Sequence, residues 1–385
     1  MFTDPALTRQ AGRFVWLALD SEKAKNAAER KRLKIDALPS FYVVDPARDS
    51  LALTWVGGAT VGQLQGFLDE SAARVAGVAP TSGWQQALAN ADRLYGQTRY
   101  ADAAVAYRAA LAGAPAGFGG ETRAVESLLF SWQMADSNAA LAQYVAGIAA
   151  RWRHDPAAGS IVGSGVDAAA SMAKDDPRRA GLLDSLERAG REIAADRALA
   201  MPADDRSGLY IALLDARDAE GDTVGHRRVA SEWATFLEGE AAKAKTPDER
   251  AVFDSHRLSA YLELGQPERA IPMLEASQRD LPNDYNPPQR LATAYKAMKR
   301  WKEALAASDR AMALAYGPRR MLVLQTRADI YAGMGDPAMQ KKTLEQALAE
   351  EKAFPDGQRS AGTIASLEKK IAALNAPAAA APTAH

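Results

Sequence analysis

Along the first eighty or so residues short apolar runs alternate with polar stretches, and from Trp84 onward helix-length segments punctuated by glycine and proline take over. Phe14-Val-Trp-Leu-Ala-Leu19 is long enough for a buried strand and too short for a helix, and the Ala-, Glu-, Arg- and Lys-rich stretch from Asn26 to Leu33 reads as helical. Leu38-Pro39-Ser40 introduces a second apolar run, Phe41 to Val44, closed by Asp45-Pro46. Leu51 to Val56 alternates well enough to pair with it as a hairpin, Gly57-Gly58 ends the pair, and Val61 to Val75 has the spacing of an amphipathic helix. The predicted order is strand, helix, strand, strand, helix.

No stretch beyond Trp84 has convincing strand alternation, so this region is expected to be all-α. Three of its segments align at a fixed period. Leu258-x-x-Tyr261-x-x-x-Gly265, with Ala270, Leu274 and a closing Pro282, matches Ala292-x-x-Tyr295 with Trp301, Ala304 and Ala311, Tyr261 to Tyr295 and Ala270 to Ala304 each being 34 positions apart. Ala328-x-x-Tyr331-x-x-x-Gly335, with Leu344 and Ala347, repeats the pattern after a two-residue insertion in the loop Tyr316-Gly317-Pro318-Arg319. A fourth unit fits at Ala91, Leu94, Tyr100, Ala103, Tyr107, Ala110 and Pro115. Ile364, Leu367, Ile371 and Leu374 predict a capping helix over 360–374, and the Ala- and Pro-rich residues 375–385 predict a disordered tail.

The 34-residue units resemble tetratricopeptide (TPR) repeats, helix–turn–helix units in which small residues let two backbones approach and a proline ends the second helix. The N-terminal pattern, with Ala37-Leu38-Pro39-Ser40-Phe41-Tyr42-Val43-Val44-Asp45 at its centre, resembles the second part of a thioredoxin-like domain. That resemblance implies a cis peptide before Pro39, facing a substrate thiol. It also implies a central strand and a helix carrying Cys-x-x-Cys, and Met1 to Ala11 resembles only the tail of that helix. Either Met1 is an internal methionine of a longer product, or the module is a remnant stabilised by the helices behind it. The expected fold class is α+α/β: an incomplete thioredoxin-like module over 1–78, a TPR-like unit over 84–115, irregular helical hairpins over 116–250 and three TPR repeats over 251–355.

Composition changes this picture little. The chain has 385 residues, more than one hydrophobic core usually serves, and its 48% hydrophobic and 25% charged residues, with abundant alanine, suit closely packed helices. A formal net charge of −1 gives no global field toward nucleic acid or an anionic membrane, and the basic cluster Arg30, Lys31, Arg32 and Lys34 reads as a solvated helix face. The absence of cysteine excludes disulfides, thiolate nucleophiles and Cys-ligated metal in this chain. With no long apolar run and no basic-then-apolar start, the protein is expected to be cytoplasmic as written, or periplasmic if a signal peptide lies upstream.

Candidate chemistry is sparse. His154, His226, His256 and His385 lie far apart with no ligand spacing, so no metal is expected. Gly163-Ser164-Gly165-Val166-Asp167-Ala168 lacks the preceding strand of a dinucleotide loop and reads as a loose helix start or a packing contact. The seven tryptophans, 16, 55, 84, 132, 152, 233 and 301, are expected in cores and helix contacts. Carrying the TPR groove positions onto this sequence points to Ser255, Ser259, Leu262, Gln289, Thr293, Lys296, Gln325 and Asp329. Arg290, Leu322 and Thr326 stand where a C-terminal carboxylate clamp would need matching polar or basic groups. The expectation is a bacterial-type protein-binding scaffold with no cofactor, taking a protein or peptide in its repeat groove and self-associating through the edges of its N-terminal sheet. A thiol–disulfide oxidoreductase or redox chaperone is the alternative, with its Cys-x-x-Cys segment upstream.

Overall fold

The computed structural model describes residues 4–35 and 37–375. Met1, the expected tail from residue 376 and His385 lie outside the described residues. The chain forms two compact units, the first from residues 1–16 and 35–229 and the second from residues 17–34 and 230–385. The expected module over 1–78 is therefore not a unit of its own, because residues 17–34 belong to unit 2 and the rest packs into unit 1.

Unit 1 begins with a 3-10 turn, Pro5–Gln10, capped by the side chain of Asp4. Strands β1 (Ser40–Asp45) and β2 (Ser50–Val56) form an antiparallel hairpin with Ser40 opposite Val56 and an irregularity at Val43/Val44. The Leu38–Pro39 peptide ahead of β1 is cis. Leu7, Val43, Leu53, Trp55, Leu64, Phe67 and Leu68 make the core beneath the hairpin, the last three from α2 (Val61–Val75). Helix α2 starts where Thr60 and Gln63 close a capping box, satisfying amide donors that the first turn leaves open.

The strand expected at Phe14–Leu19 is absent. The sheet has two strands, and Val15 and Leu17 are 89% and 75% exposed. The run has strand composition, but a strand exists only by pairing its backbone, and neither described strand pairs with it.

Helices α3 (Gly83–Gly96), α4 (Tyr100–Gly113), α5 (Glu121–Met134), α6 (Asn138–Trp152), α7 (Ala158–Ser171), α8 (Arg179–Ala195) and α9 (Ala203–Glu220) continue unit 1. The unit boundary at Val229 falls inside α10 (Thr223–Lys243). Neighbours along the chain pack together, and α3, α5, α7 and α9 also adjoin one another in that order. The glycines of the 163–168 segment lie in the middle of α7 rather than at its start. A Cβ on Gly165 would come 2.6 Å from Val145 Cγ1 of α6, so the missing side chain is what lets these helices close.

Helix α2 is fastened to the helices that follow it by a charge cluster. Arg123 of α5, its side chain 2% exposed, meets Asp92 of α3 at 2.6 Å and Glu70 of α2 at 3.3 Å. Arg74 joins Glu70 to Asp92, and the Tyr107 hydroxyl donates to Asp92 at 2.6 Å. Burial alone would push the Asp92 carboxyl up, but the Arg123 and Arg74 guanidiniums hold it below the usual range.

Unit 2 contains α1 (Ala27–Leu33), α11 (Pro247–Ala251), α12 (Asp254–Glu263), α13 (Ala270–Asp280), α14 (Asn286–Ala297), α15 (Trp301–Leu314), α16 (Arg319–Gly333), α17 (Pro337–Ala353) and α18 (Ala361–Asn375). Helices α12/α13, α14/α15 and α16/α17 are antiparallel pairs, and the first helices of successive pairs adjoin. The predicted small residues sit at the crossings: Ala270, Ala292, Ala304, Ala311 and Ala347 are wholly buried. Tyr261 donates to Glu238 at 2.7 Å and lies under Arg269 at 4.6 Å, while Tyr295 donates to Glu275 and lies under Arg300 at 4.7 Å. Leu367 of α18 closes the stack over Leu324, Leu344 and Ala347. Of the tryptophans, Trp55, Trp132, Trp152 and Trp233 are buried, whereas Trp16 is 44% exposed on the unpaired run.

The first helix of each pair ends in the same way. The amide of residue 266, 300 or 336 reaches back to the carbonyl of Tyr261, Tyr295 or Tyr331, around a left-handed residue at 265, 299 or 335. In unit 1 Arg99 closes on Leu94 likewise, around Thr98 at φ 60°. A β-branched residue is strained there, so Thr98→Gly is expected to stabilise unit 1 by about 0.5–1 kcal/mol. Urea denaturation checks this, and an unchanged or lowered midpoint would contradict it.

Candidate functional site

The first helices of unit 2 carry all eight positions predicted to face a groove. On α12, Ser255 is exposed and Ser259 and Leu262 are half-buried; on α14, Thr293 and Lys296 are half-buried; on α16, Gln325 is half-buried and Asp329 exposed. The adjacency of these helices brings α14 and α16 positions together. Lys296 Nζ lies 3.1 Å from Asp329 Oδ2, an ion pair open to solvent and so worth about 1 kcal/mol or less.

Gln289 departs from the expectation. It is 4% exposed, and its amide donates to Thr326 Oγ1 at 2.7 Å, tying α14 to α16 beneath the row. Thr326 is buried with it, which explains why it cannot serve a clamp for a terminal carboxylate. Nearby, Asp254 is wholly buried at the start of α12 and its carboxyl is pushed up by that burial, while burial pushes the Arg290 guanidinium down. The charges of Arg290, Arg257 and Arg250 partly offset that rise in Asp254. Pro39, the remaining predicted position, lies exposed in unit 1 at the start of β1, its carbonyl accepting from the Gly57 amide at 3.0 Å.

Unit 1 holds a feature that sequence reasoning missed: carboxyls on α5, α7 and α9 that repel rather than pair. Glu126 of α5 accepts from Trp55 Nε1 at 2.9 Å and lies 2.8 Å from Ser160 Oγ. Burial pushes its carboxyl up to about 7, against the lowering effect of those two bonds and with help from Asp205 and Asp155. The Ser160 hydroxyl, which donates to Glu126 Oε1, is also within reach of the Ala157 carbonyl at 3.0 Å, so its single proton is shared between two acceptors.

Asp205 of α9 is pushed up to about 6 by burial and by Asp204. Asp167 of α7, an exposed residue, is pushed up to about 7 by desolvation and by Asp215. Burial and Asp218 raise Asp215 as well, with His226 opposing. The sequence gives no periodic signal for this set, because positions 126, 167, 205 and 215 share no spacing.

Among the described residues no cluster of three or more His, Cys, Asp or Glu is placed to hold a metal ion, and no helix is long and apolar enough to cross a membrane. What the unit 2 row offers is binding chemistry: amide, hydroxyl and paired charge on adjacent helices, suited to the polar backbone of an extended segment.

No protein-family model matches the chain, and no curated protein matches it. Among solved structures, a chain of the crystal structure of the APC/C hetero-tetramer Cut9-Hcn1 aligns over 80% of this chain at 14% identity and a TM-score of 0.33. The alignment spans about half of that solved chain, 54%. The helix pairs, their shared turn and their buried small residues are what make unit 2 a TPR-like helical repeat.

Proposed function

We propose that the protein is a protein-binding scaffold that takes an extended segment of a partner along α12, α14 and α16. The observation that supports this reading is that Ser259, Thr293, Lys296, Gln325 and Asp329 keep a solvent-facing surface on three adjacent helices whose other faces are committed to packing. Helices of this kind bury the faces between pairs and leave the first helices' outer row free for a ligand. The row has one acid and one base, already paired, so a partner would be held by its backbone and by shape more than by net charge.

Panning short random peptides against the full chain tests the reading. Selected peptides should lose affinity by roughly tenfold or more when Thr293→Arg and Gln325→Arg are combined, and be indifferent to Lys302→Glu on α15. Failure to select any peptide, or affinities that ignore the α14 and α16 changes, would remove it.

The finer reading of the N-terminal residues, as part of a thioredoxin-like module, is supported by the order of hairpin and then helix over 40–75. The thiol–disulfide alternative has no residue in its favour, since the chain contains no cysteine. Self-association through the N-terminal sheet would use the free edge of β1.

A further inference from the structure

Residues 20–33 pack on unit 2 through contacts of a specificity that a passing loop does not need. The Asp20 carboxylate accepts from the Tyr316 hydroxyl at 2.5 Å, and Glu22 meets Arg319 Nε at 2.5 Å. The Arg319 guanidinium lies 4.6 Å from the Tyr316 ring centre and 5.6 Å from that of Tyr285, so two aromatic faces hold it toward the acids. Gln358, 4% exposed, donates to the Ser21 carbonyl at 3.0 Å, and Lys31 Nζ lies 2.6 Å from Asp356.

Two glycines complete the seat. A Cβ on Gly317 would fall on the Glu22 carbonyl oxygen, and one on Gly357 would come 2.6 Å from the Ala27 carbonyl oxygen. These residues lie at the entries to α14, α16 and α18. The insertion at Tyr316–Arg319 thus builds the central part of a receptor for the segment.

The segment's hold is nevertheless shallow. Ala27 is the one buried residue of α1, and the Arg319, Asp20 and Glu22 side chains are 29%, 26% and 29% exposed. Few buried apolar groups and solvated ion pairs are the marks of a segment that opens locally at little cost. Its persistence then owes much to its attachment, which keeps its effective concentration high.

We propose that this loop edge is a peptide-recognition site for an Asp-x-Glu motif continued by a short helix, that residues 20–33 are its resident occupant, and that it exchanges them for the same sequence supplied in trans. The site shares none of the eight positions on α12, α14 and α16, so it stands or falls apart from the groove.

The test uses the full chain and a fluorescent peptide spanning residues 17–34. The chain carrying Asp20→Ala and Glu22→Ala, its own occupant weakened, binds the peptide saturably. The unaltered chain binds it roughly a hundredfold more weakly, because the tethered copy competes. Adding Arg319→Ala to the double variant abolishes binding. No binding to the double variant, or binding insensitive to Arg319→Ala, overturns the proposal. Amide exchange gives a second readout: Gly317→Ala speeds exchange across residues 21–33 while α12 to α15 stay protected, and unchanged protection of residues 21–33 likewise overturns it.

Discussion

Arg123→Ala is expected to destabilise unit 1 by roughly 3–5 kcal/mol, the range found when one partner of a buried ion pair is removed. Its guanidinium is the group that lets Asp92 remain ionised in the interior and that reaches Glu70 on α2. Without it Asp92 keeps Arg74 and Tyr107, while Glu70 loses its link to α5. The loss should lower the thermal midpoint of unit 1 by about 10 °C or more. Combining Arg123→Met with Asp92→Asn should recover at least half of it, because uncharged replacements for both partners leave neither charge of the pair stranded. A single substitution that costs less than about 1 kcal/mol would mean the cluster is solvated and does not fasten α2 to the helices that follow it.

Glu126 should give unit 1 an unusual pH profile. Its folded carboxyl titrates at about 7 against an ordinary value of 4.5, so the folded state holds a proton that the unfolded chain has released. Stability from this source is complete below about pH 4 and is lost as pH rises through 7, amounting to about 2 kcal/mol between roughly pH 5.5 and 8. The raised carboxyls of Asp167, Asp205 and Asp215 act in the same direction. Glu126→Gln keeps an acceptor for Trp55 and a donor for Ser160, so it should flatten the profile and melt about 4–8 °C above the unaltered chain near pH 8, with little difference near pH 5.5. Melts at the two pH values decide. A Glu126→Gln chain less stable than the original at pH 8 would show that Glu126 is ionised and usefully so.

The parts of this protein legible in the sequence are those fixed by local chemistry that recurs. The positions at Tyr261, Tyr295 and Tyr331, at Ala270 and Ala304, and at Ala311 and Ala347 mark places where two helices cross, and each crossing demands the same residue sizes. Gln289 shows the limit of that reasoning. Its place in the repeat is right, but the closeness of α14 to α16 turns its amide inward onto Thr326.

Phe14–Leu19 departs from expectation for a different reason: composition sets a tendency to form a strand, whereas pairing depends on what lies beside it. The seat for residues 20–33 left only a trace, the two-residue insertion at Tyr316–Arg319, since its contacts join positions about 300 apart in the chain. The acid row of unit 1 left none. Its character comes first from burial among packed helices, which residue spacing does not encode.

The most direct test of the scaffold reading is amide hydrogen exchange on the full chain with and without a peptide selected by panning. The account predicts slower exchange confined to α12, α14 and α16, with α13, α15 and α17 unchanged. Protection on the second helices of the pairs, or none in unit 2, would contradict it.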